Sequence, residues 1–285
     1  MNYRLLAIDL DGTLLCPEGK VSPENLHAIA KAKVAGLTVV PCTGRGWREA
    51  HYVLEQVPDL GLGIFVTGAA ITDVSTGTTK HHTAIDPQTV FDLVDFLKNE
   101  PQAVLAYREP NRAGHDYLVT GHGELTPNSQ WWFDFTGAVV KENRTPAVDD
   151  LQHTLRVGMV APGSQVPGVL ERVNEQFADR VEAHAFAAVQ SPDPEEAVYI
   201  LEVFAPGVDK WHGLSWVADQ MDIGPEQVAV IGDEINDLAM LQAAGCAIAM
   251  DNAVDAAKQH AAYITKRNDD HGVAHAIDQI LHGHW

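Results

Sequence analysis

Asp9 and Asp11 stand two residues apart in Asp9-Leu10-Asp11-Gly12-Thr13, directly after the apolar run Leu5-Leu6-Ala7-Ile8. Alternate residues of an extended chain project to the same side, so both carboxylates can share one pocket at the strand's end. In open α/β sheets that carboxyl end is where ligands bind. Gly12 permits a tight turn that brings backbone N–H groups toward a bound anion. Such a pair of acids can attack an electrophile, move protons or hold a hard cation. A strand-ending Asp-Gly turn accounts for the same residues without chemistry, so the other strands must decide.

Their endings repeat the pattern. Leu37-Thr38-Val39-Val40 leads to Thr43-Gly44-Arg45, a hydroxyl and a flexible backbone followed by a cation at a helix start. Ile64-Phe65-Val66 leads to Thr67-Gly68. Val228-Ala229-Val230-Ile231 runs into Gly232-Asp233-Glu234-Ile235-Asn236-Asp237. Asp233 and Asp237 are four apart and can face one site from a helix beginning there. Several apolar strands ending in small, polar or acidic residues along one edge point to a functional site. Lys210 falls in the first turn of a helix expected over 209–221, where the helix dipole disfavours a cation and a nearby anion would offset the penalty.

The elements that must position these residues alternate strand and helix. A helix is expected from Pro23 to Ala35, with Ser22 as N-cap and Gly36 closing it, and another from Trp47 to Gln56. Residues 71–74 and 78–82 suggest a hairpin around Ser75-Thr76-Gly77. The same alternation returns near the C-terminus, with a helix over 235–244, short strands over 246–250 and 263–265, and a final helix over 273–281. The expected fold class is α/β, a doubly wound parallel sheet covered on both faces. Residues 84–206 are richer in Pro, His and Trp, with longer alternating strands over 154–160, 181–189 and 198–204. They read as an inserted α+β cap domain with a largely antiparallel sheet, leaving 1–83 and 207–285 as the core. Such an insert would close over the core mouth, exclude water and set specificity.

Charge narrows the partners. The chain has 285 residues, with 39 acidic against 19 basic, a formal charge of −20. A surface of that sign repels nucleic acid, anionic membranes and small phosphates alike, so a phosphate site must supply its own positive charge from a metal, a Lys or Arg, or backbone N–H groups. Three scattered cysteines, Cys16, Cys42 and Cys246, argue against a disulfide framework and for a reducing, cytoplasmic setting. The first apolar run is too short for a signal peptide, and the longest uncharged apolar stretch, 60–72, is too short to span a membrane.

In this order the residues resemble the haloacid dehalogenase-like hydrolases, most specifically the Cof-type phosphatases with a large cap inserted after the third strand. Asp9-Leu10-Asp11-Gly12-Thr13-Leu14 matches the first family motif, Thr43-Gly44-Arg45 the second, Lys210 the third and Gly232-Asp233-Glu234-Ile235-Asn236-Asp237 the fourth. Residues 244–253 and 268–273 look like the family's closing segments. The resemblance implies magnesium-dependent hydrolysis of small phosphate monoesters through a phosphorylated Asp9, with Asp11 as the acid and base. It implies that Leu10, Thr43, Gly44, Lys210 and Asn236 hold the phosphate. It places magnesium on the Asp9 carboxylate, the Asp11 main-chain carbonyl and Asp233, with Asp237 close by, directly or through water. One departure is Thr67-Gly68, where the family usually shows Asn-Gly.

Other features carry less. Trp131-Trp132-Phe133-Asp134-Phe135 is either cap core or a surface that packs over a leaving group or a partner subunit, so the chain is a monomer or a homodimer. The histidines lack zinc spacing. Arg108 and Arg112 read as solvated loop charges or as a clamp for a second anionic group. Gly44-Arg45-Gly46 opens a helix like a dinucleotide fingerprint, but Glu49 replaces the third small residue and would repel pyrophosphate. A phosphomutase with the same site, a catalytically silent phospho-ligand-binding module and a receiver-type signalling module are the competing readings. The last would carry its acidic pair at adjacent positions on a much shorter chain.

Overall fold

The computed structural model describes residues 2–189, 191, 193 and 196–285. In chain order the elements are β1 (Leu5–Ile8), α1 (Pro23–Val34), β2 (Thr38–Pro41), α2 (Trp47–Leu54), β3 (Leu62–Phe65), β4 (Ala70–Asp73) and β5 (Thr79–His82). Then follow α3 (Pro87–Leu97), β6 (Val104–Arg108), α4 (Pro110–Ala113), β7 (Tyr117–Thr120), α5 (Pro127–Thr136), β8 (Val140–Glu142), β9 (Thr154–Pro162), α6 (Val166–Phe177), β10 (Glu182–Val189) and β11 (Val198–Phe204). The chain closes with α7 (Lys210–Asp219), β12 (Val228–Gly232), α8 (Leu238–Ala243), β13 (Cys246–Ala249), α9 (Asp255–His260), β14 (Tyr263–Ile264) and α10 (Gly272–Leu281). These residues form two compact units, Met1–Lys80 with Asp209–Trp285, and His81–Val208.

The first unit is built on a five-stranded parallel sheet ordered β14-β13-β12-β1-β2. Every residue of β1, β12 and β13 is buried, as strands covered on both faces must be. Helix α1 packs with α10, while α7, α8 and α9 form a second contacting series. Helix α1 starts where Ser22 accepts the Asn25 N–H and Pro23 takes the first position, and Gly36 at φ 95° turns the chain away after it. From β1 the chain steps outward through β2 on one side and returns through β12, β13 and β14 on the other. β1 and β12 therefore flank the point where strand order reverses, the position at which doubly wound sheets bind ligands.

The third strand lies parallel to the end of β2, as expected, and has a further partner. β3 also pairs antiparallel with β4 in a three-stranded sheet, β3-β4-β5, and joins the main sheet through the parallel bridge from Cys42 to Ile64 and the Thr43 N–H bond to the Ile64 carbonyl. The helix expected over 235–244 is broken. Residues Ile235–Asp237 form a 3₁₀ turn and α8 begins only at Leu238, because the Asp237 carboxylate folds back onto the N–H groups of Asp233 and Glu234.

The second unit holds a six-stranded sheet, β10-β11-β9-β6-β7-β8, antiparallel except for β7 with β8. Helix α3 packs on β9 and α6 on β10 and β11, burying Val90, Leu93, Val169 and Val173. Within it Arg156 bonds the buried Glu202 at 2.5 Å and the Tyr117 hydroxyl at 2.9 Å, and His184 approaches Glu202 at 3.2 Å. Trp131 and Phe135 of α5 stack at 5.2 Å and are 61% and 52% exposed, whereas Phe133 is buried against Tyr117, so the aromatic cluster is half core and half surface. Arg108 is buried rather than solvated, donating to the carbonyls of Asp150 and Gln152. Among the described residues no helix is long and apolar enough to cross a membrane.

Candidate active site

Ile8 of β1 lies opposite Ile231 of β12, and the Asp9 N–H continues the ladder to the Ile231 carbonyl at 3.0 Å. Asp9 and Asp233 therefore leave the sheet from adjacent strand ends. Asp237 joins them through the 3₁₀ turn, and one carboxylate oxygen from each of Asp9, Asp233 and Asp237 lies within 4.8 Å of the others. The three acids meet as expected, though by that turn rather than by one helical face.

Lys210 occupies the first position of α7, fully buried, with Asp209 capping the helix through the His212 N–H. Its ammonium donates to Asp9 Oδ1 at 2.6 Å and to Asp237 Oδ1 at 2.5 Å. Two carboxylates thus offset the unfavourable position at the positive end of the helix. The other Asp237 oxygen accepts the Asp233 N–H at 2.8 Å and the Glu234 N–H at 3.0 Å, so Asp237 is braced from both sides.

The loop after β1 carries Asp11 and Gly12. Gly12 at φ 77° bends the chain so closely against Asp233 that a Cβ there would sit 2.1 Å from its Oδ2. Thr13 donates to Asp233 Oδ1 at 2.9 Å. The Asp9 side chain is buried, while that of Asp11 is 57% exposed. Both Asp11 oxygens are held by the Arg45 guanidinium, Oδ2 by Nε at 2.7 Å and Oδ1 by a terminal nitrogen. Among the described residues Asp11 is not one of the three acids that meet within 4.8 Å, yet its charge still acts on Asp9.

Thr43 is buried and its hydroxyl accepts the Arg45 N–H at 3.1 Å. A Cβ at Gly44 would meet Thr67 Oγ1 at 3.3 Å and Asn236 Nδ2 at 3.6 Å, so these three loops converge. Thr67 sits in the left-handed region, φ 54° and ψ 36°, where a β-branched residue is strained. Asparagine tolerates that backbone, which gives a physical reason for the usual residue at this place. The Leu10 side chain is buried in the core, so only its backbone can face a ligand.

Sequence reasoning assigned no role to three residues that brace this loop. Beside Thr13, Asn252 donates to the Gly12 carbonyl at 2.8 Å and Asn268 to the Leu15 carbonyl at 2.8 Å, while the Asn268 N–H binds Asn252 Oδ1 at 2.9 Å. Asn252 and Asn268 lie in the closing segments that resemble the family, which is the one sequence signal that could have found them.

Electrostatics follows from burial. Burial pushes the Asp9 carboxyl up to about 7; Lys210 opposes this, while Asp237 and Asp11 add to it. Burial, then the charges of Asp9 and Asp237, push Asp233 up to about 9. Lys210 is raised well above its ordinary value, because Asp237 and Asp9 outweigh the burial that acts against its charge. Three carboxylates against one ammonium leave a formal −2 when all are ionised (−3 + 1). Such a set holds protons tightly and would exchange them for a divalent, oxygen-seeking cation, so the donors fit a metal of that class.

Residues 6–277 match the family model described as haloacid dehalogenase-like hydrolase. The chain is 29% identical over 295 residues to the 5-amino-6-(5-phospho-D-ribitylamino)uracil phosphatase YwtE of Bacillus subtilis, covering 99% of each chain. It is 29% identical over 297 residues to the phosphatase YwpJ of the same organism, covering 98% of this chain and 100% of that one. A solved haloacid dehalogenase-like hydrolase from Bacteroides thetaiotaomicron superposes with a TM-score of 0.78 at 23% identity, over 98% of this chain and 99% of that one. With the family matched over nearly its whole length, the chain belongs to the haloacid dehalogenase-like hydrolases, as a phosphatase of the Cof type.

Proposed function

We propose that the chain hydrolyses small phosphate monoesters of sugars or related polyols through a phosphorylated Asp9, with magnesium bound beside it. The observation that carries this reading is the convergence of Asp9, Asp233 and Asp237 on the buried Lys210 at the ends of β1 and β12. An Asp9 oxygen attacks phosphorus, the bond to the leaving oxygen breaks, and that oxygen takes a proton from Asp11. Water then attacks the same phosphorus, passes a proton to Asp11 and releases Asp9 and inorganic phosphate. Lys210 keeps the Asp9 carboxylate oriented and lowers its repulsion of the phosphate, and Thr43, Gly44, Asn236 and the Leu10 backbone hold the phosphate oxygens.

Magnesium would be held by the carboxylates of Asp9 and Asp233 and the main-chain carbonyl of Asp11. Bound there it neutralises the acids and the phosphate charge. Asp237 serves as anchor rather than direct ligand, since its two oxygens already accept from Lys210 and two backbone N–H groups. The sugar or polyol class is supported by the relative that acts on a phosphoribitylamino uracil. Residues 81–208 carry the choice among esters, and the location is cytoplasmic.

The test is a panel of phosphate monoesters assayed with magnesium and with EDTA, on wild type and Asp9→Asn. Metal-dependent phosphate release by wild type and its near-complete loss in the variant are expected. Equal turnover by the two proteins would remove Asp9 from its role, and full turnover in EDTA would remove the metal.

A further inference from the structure

Arg45 makes contacts that neither the hydrolysis scheme nor the phosphate loop requires. Its guanidinium donates from Nε to Asp11 Oδ2 at 2.7 Å and from a terminal nitrogen to Oδ1, a two-bond fork on one carboxylate. The remaining terminal nitrogen reaches the Tyr52 hydroxyl at 2.9 Å and the Glu49 carbonyl at 3.3 Å, and the guanidinium carbon lies 5.7 Å from the centre of the Tyr52 ring. Glu49 is itself buried and accepts the Gly46 N–H at 2.6 Å, tying down the start of α2, the helix that carries Tyr52 and the Glu49 carbonyl. Arg45 is therefore fixed at its base and at its tip. Asp11 is less enclosed: its side chain is 57% exposed against 12% for Arg45, and it stands just before the bend at Gly12, outside any regular strand. An exposed aspartate left to itself samples several rotamers in water.

We infer that Arg45 is the positioning residue for Asp11, holding its carboxylate in the one rotamer from which it exchanges a proton with the ester oxygen and with attacking water. The inference rests on the assignment of Asp11 as acid and base. The fork matches both halves of the reaction. While Asp11 is an anion accepting a proton from water, both oxygens can stay on the guanidinium. When it carries the proton for the leaving oxygen, one oxygen becomes O–H and is released, while the other remains bonded to Arg45. The carboxyl group thus changes protonation without losing its place. A lysine supplies the same charge but only a point donor, so it cannot grip both oxygens.

The experiment compares the first chemical step on two esters in single turnover, with enzyme in excess and magnesium present. An alkyl phosphate needs a proton on its leaving oxygen, whereas p-nitrophenyl phosphate releases a stable anion without one. In Arg45→Lys the alkyl rate should fall about 10- to 100-fold, within the range general acid catalysis contributes, while the nitrophenol rate stays within about twofold of wild type. KM for both should change little. Tyr52→Phe, which removes one anchor of the fork, should shift the alkyl-to-aryl ratio the same way by less, and it serves if Arg45→Lys folds poorly. Asp11→Asn is the control, and its ratio should collapse further. Equal loss on both esters in Arg45→Lys, or no loss on either, overturns the inference. If Asp11→Asn leaves the ratio unchanged, the acid-base assignment fails and takes this inference with it; an unchanged ratio in Arg45→Lys alone sinks only the role of Arg45.

Discussion

The Lys210 ammonium lies 2.6 Å from Asp9 Oδ1 although 201 positions separate them in the chain. The same nitrogen holds Asp237 at 2.5 Å, so one cation joins the end of β1 to the loop after β12. That junction ties two strand ends of the sheet together.

Lys210→Met should therefore damage both properties. Removing the cation leaves two buried carboxylates facing each other, and breaking a buried pair in this way costs about 3–5 kcal/mol. Chemical denaturation should show that loss together with the disappearance of phosphatase activity. An unchanged denaturation midpoint would mean that the ammonium does not hold the two acids in solution.

The raised acids predict how stability responds to pH without metal. Asp9 and Asp233 bind protons more tightly in the folded chain, up to about 7 and about 9, than when unfolded. The stabilisation they give is full below the ordinary carboxylate range and is lost as pH climbs through the folded values. In EDTA the melting temperature should fall between about pH 6 and pH 9. Saturating magnesium, which takes the place of those protons, should flatten the slope and bind more tightly as pH rises. A flat profile in EDTA would contradict the electrostatics of the cluster.

Thr67 gives a stability prediction of opposite sign. Its left-handed backbone strains a β-branched side chain by roughly 1 kcal/mol, and asparagine accepts that conformation more readily. Thr67→Asn should raise the melting temperature by about 2–4 °C, read by calorimetry. A lower melting temperature would show that the Thr67 hydroxyl contributes more than the strain removes.

In the second unit Arg156 and Glu202 form a pair whose side chains are 12% and 2% exposed. Burial acts to raise the Glu202 carboxyl, yet Arg156 and His184 together hold it below its usual range. That contribution is present above the ordinary glutamate range and is lost as pH falls through the folded value. Arg156→Met should destabilise the unit by about 3–5 kcal/mol, and adding Glu202→Gln should recover much of the loss. Additive losses in the double variant would show that the two residues act independently.

The sequence revealed the site where chemistry and folding ask for the same residue. Apolar strands ending at Asp9, Thr43 and Asp233 are readable because a buried parallel strand must be apolar and its end must not. Lys210 announced itself by standing where a helix disfavours a cation. The partner of β3 did not, since a short apolar strand has the same composition whether its neighbour runs parallel or antiparallel. Nor did the grip on Asp11, which comes from the Arg45 guanidinium in the loop between β2 and α2. Asn252 and Asn268 brace the loop through carbonyls hundreds of positions away, and spacing along the chain carries no trace of such contacts.

Turnover by this route requires that Asp9 become covalently phosphorylated. Wild-type enzyme mixed with magnesium and excess phosphate ester, quenched in acid within one turnover and digested, reports this directly by mass spectrometry. One phosphoryl group is expected on the peptide carrying Asp9, absent when Asp9→Asn is treated alike. Rapid phosphate release by wild type with that peptide unmodified at every time point, or with the group on another residue, would contradict it.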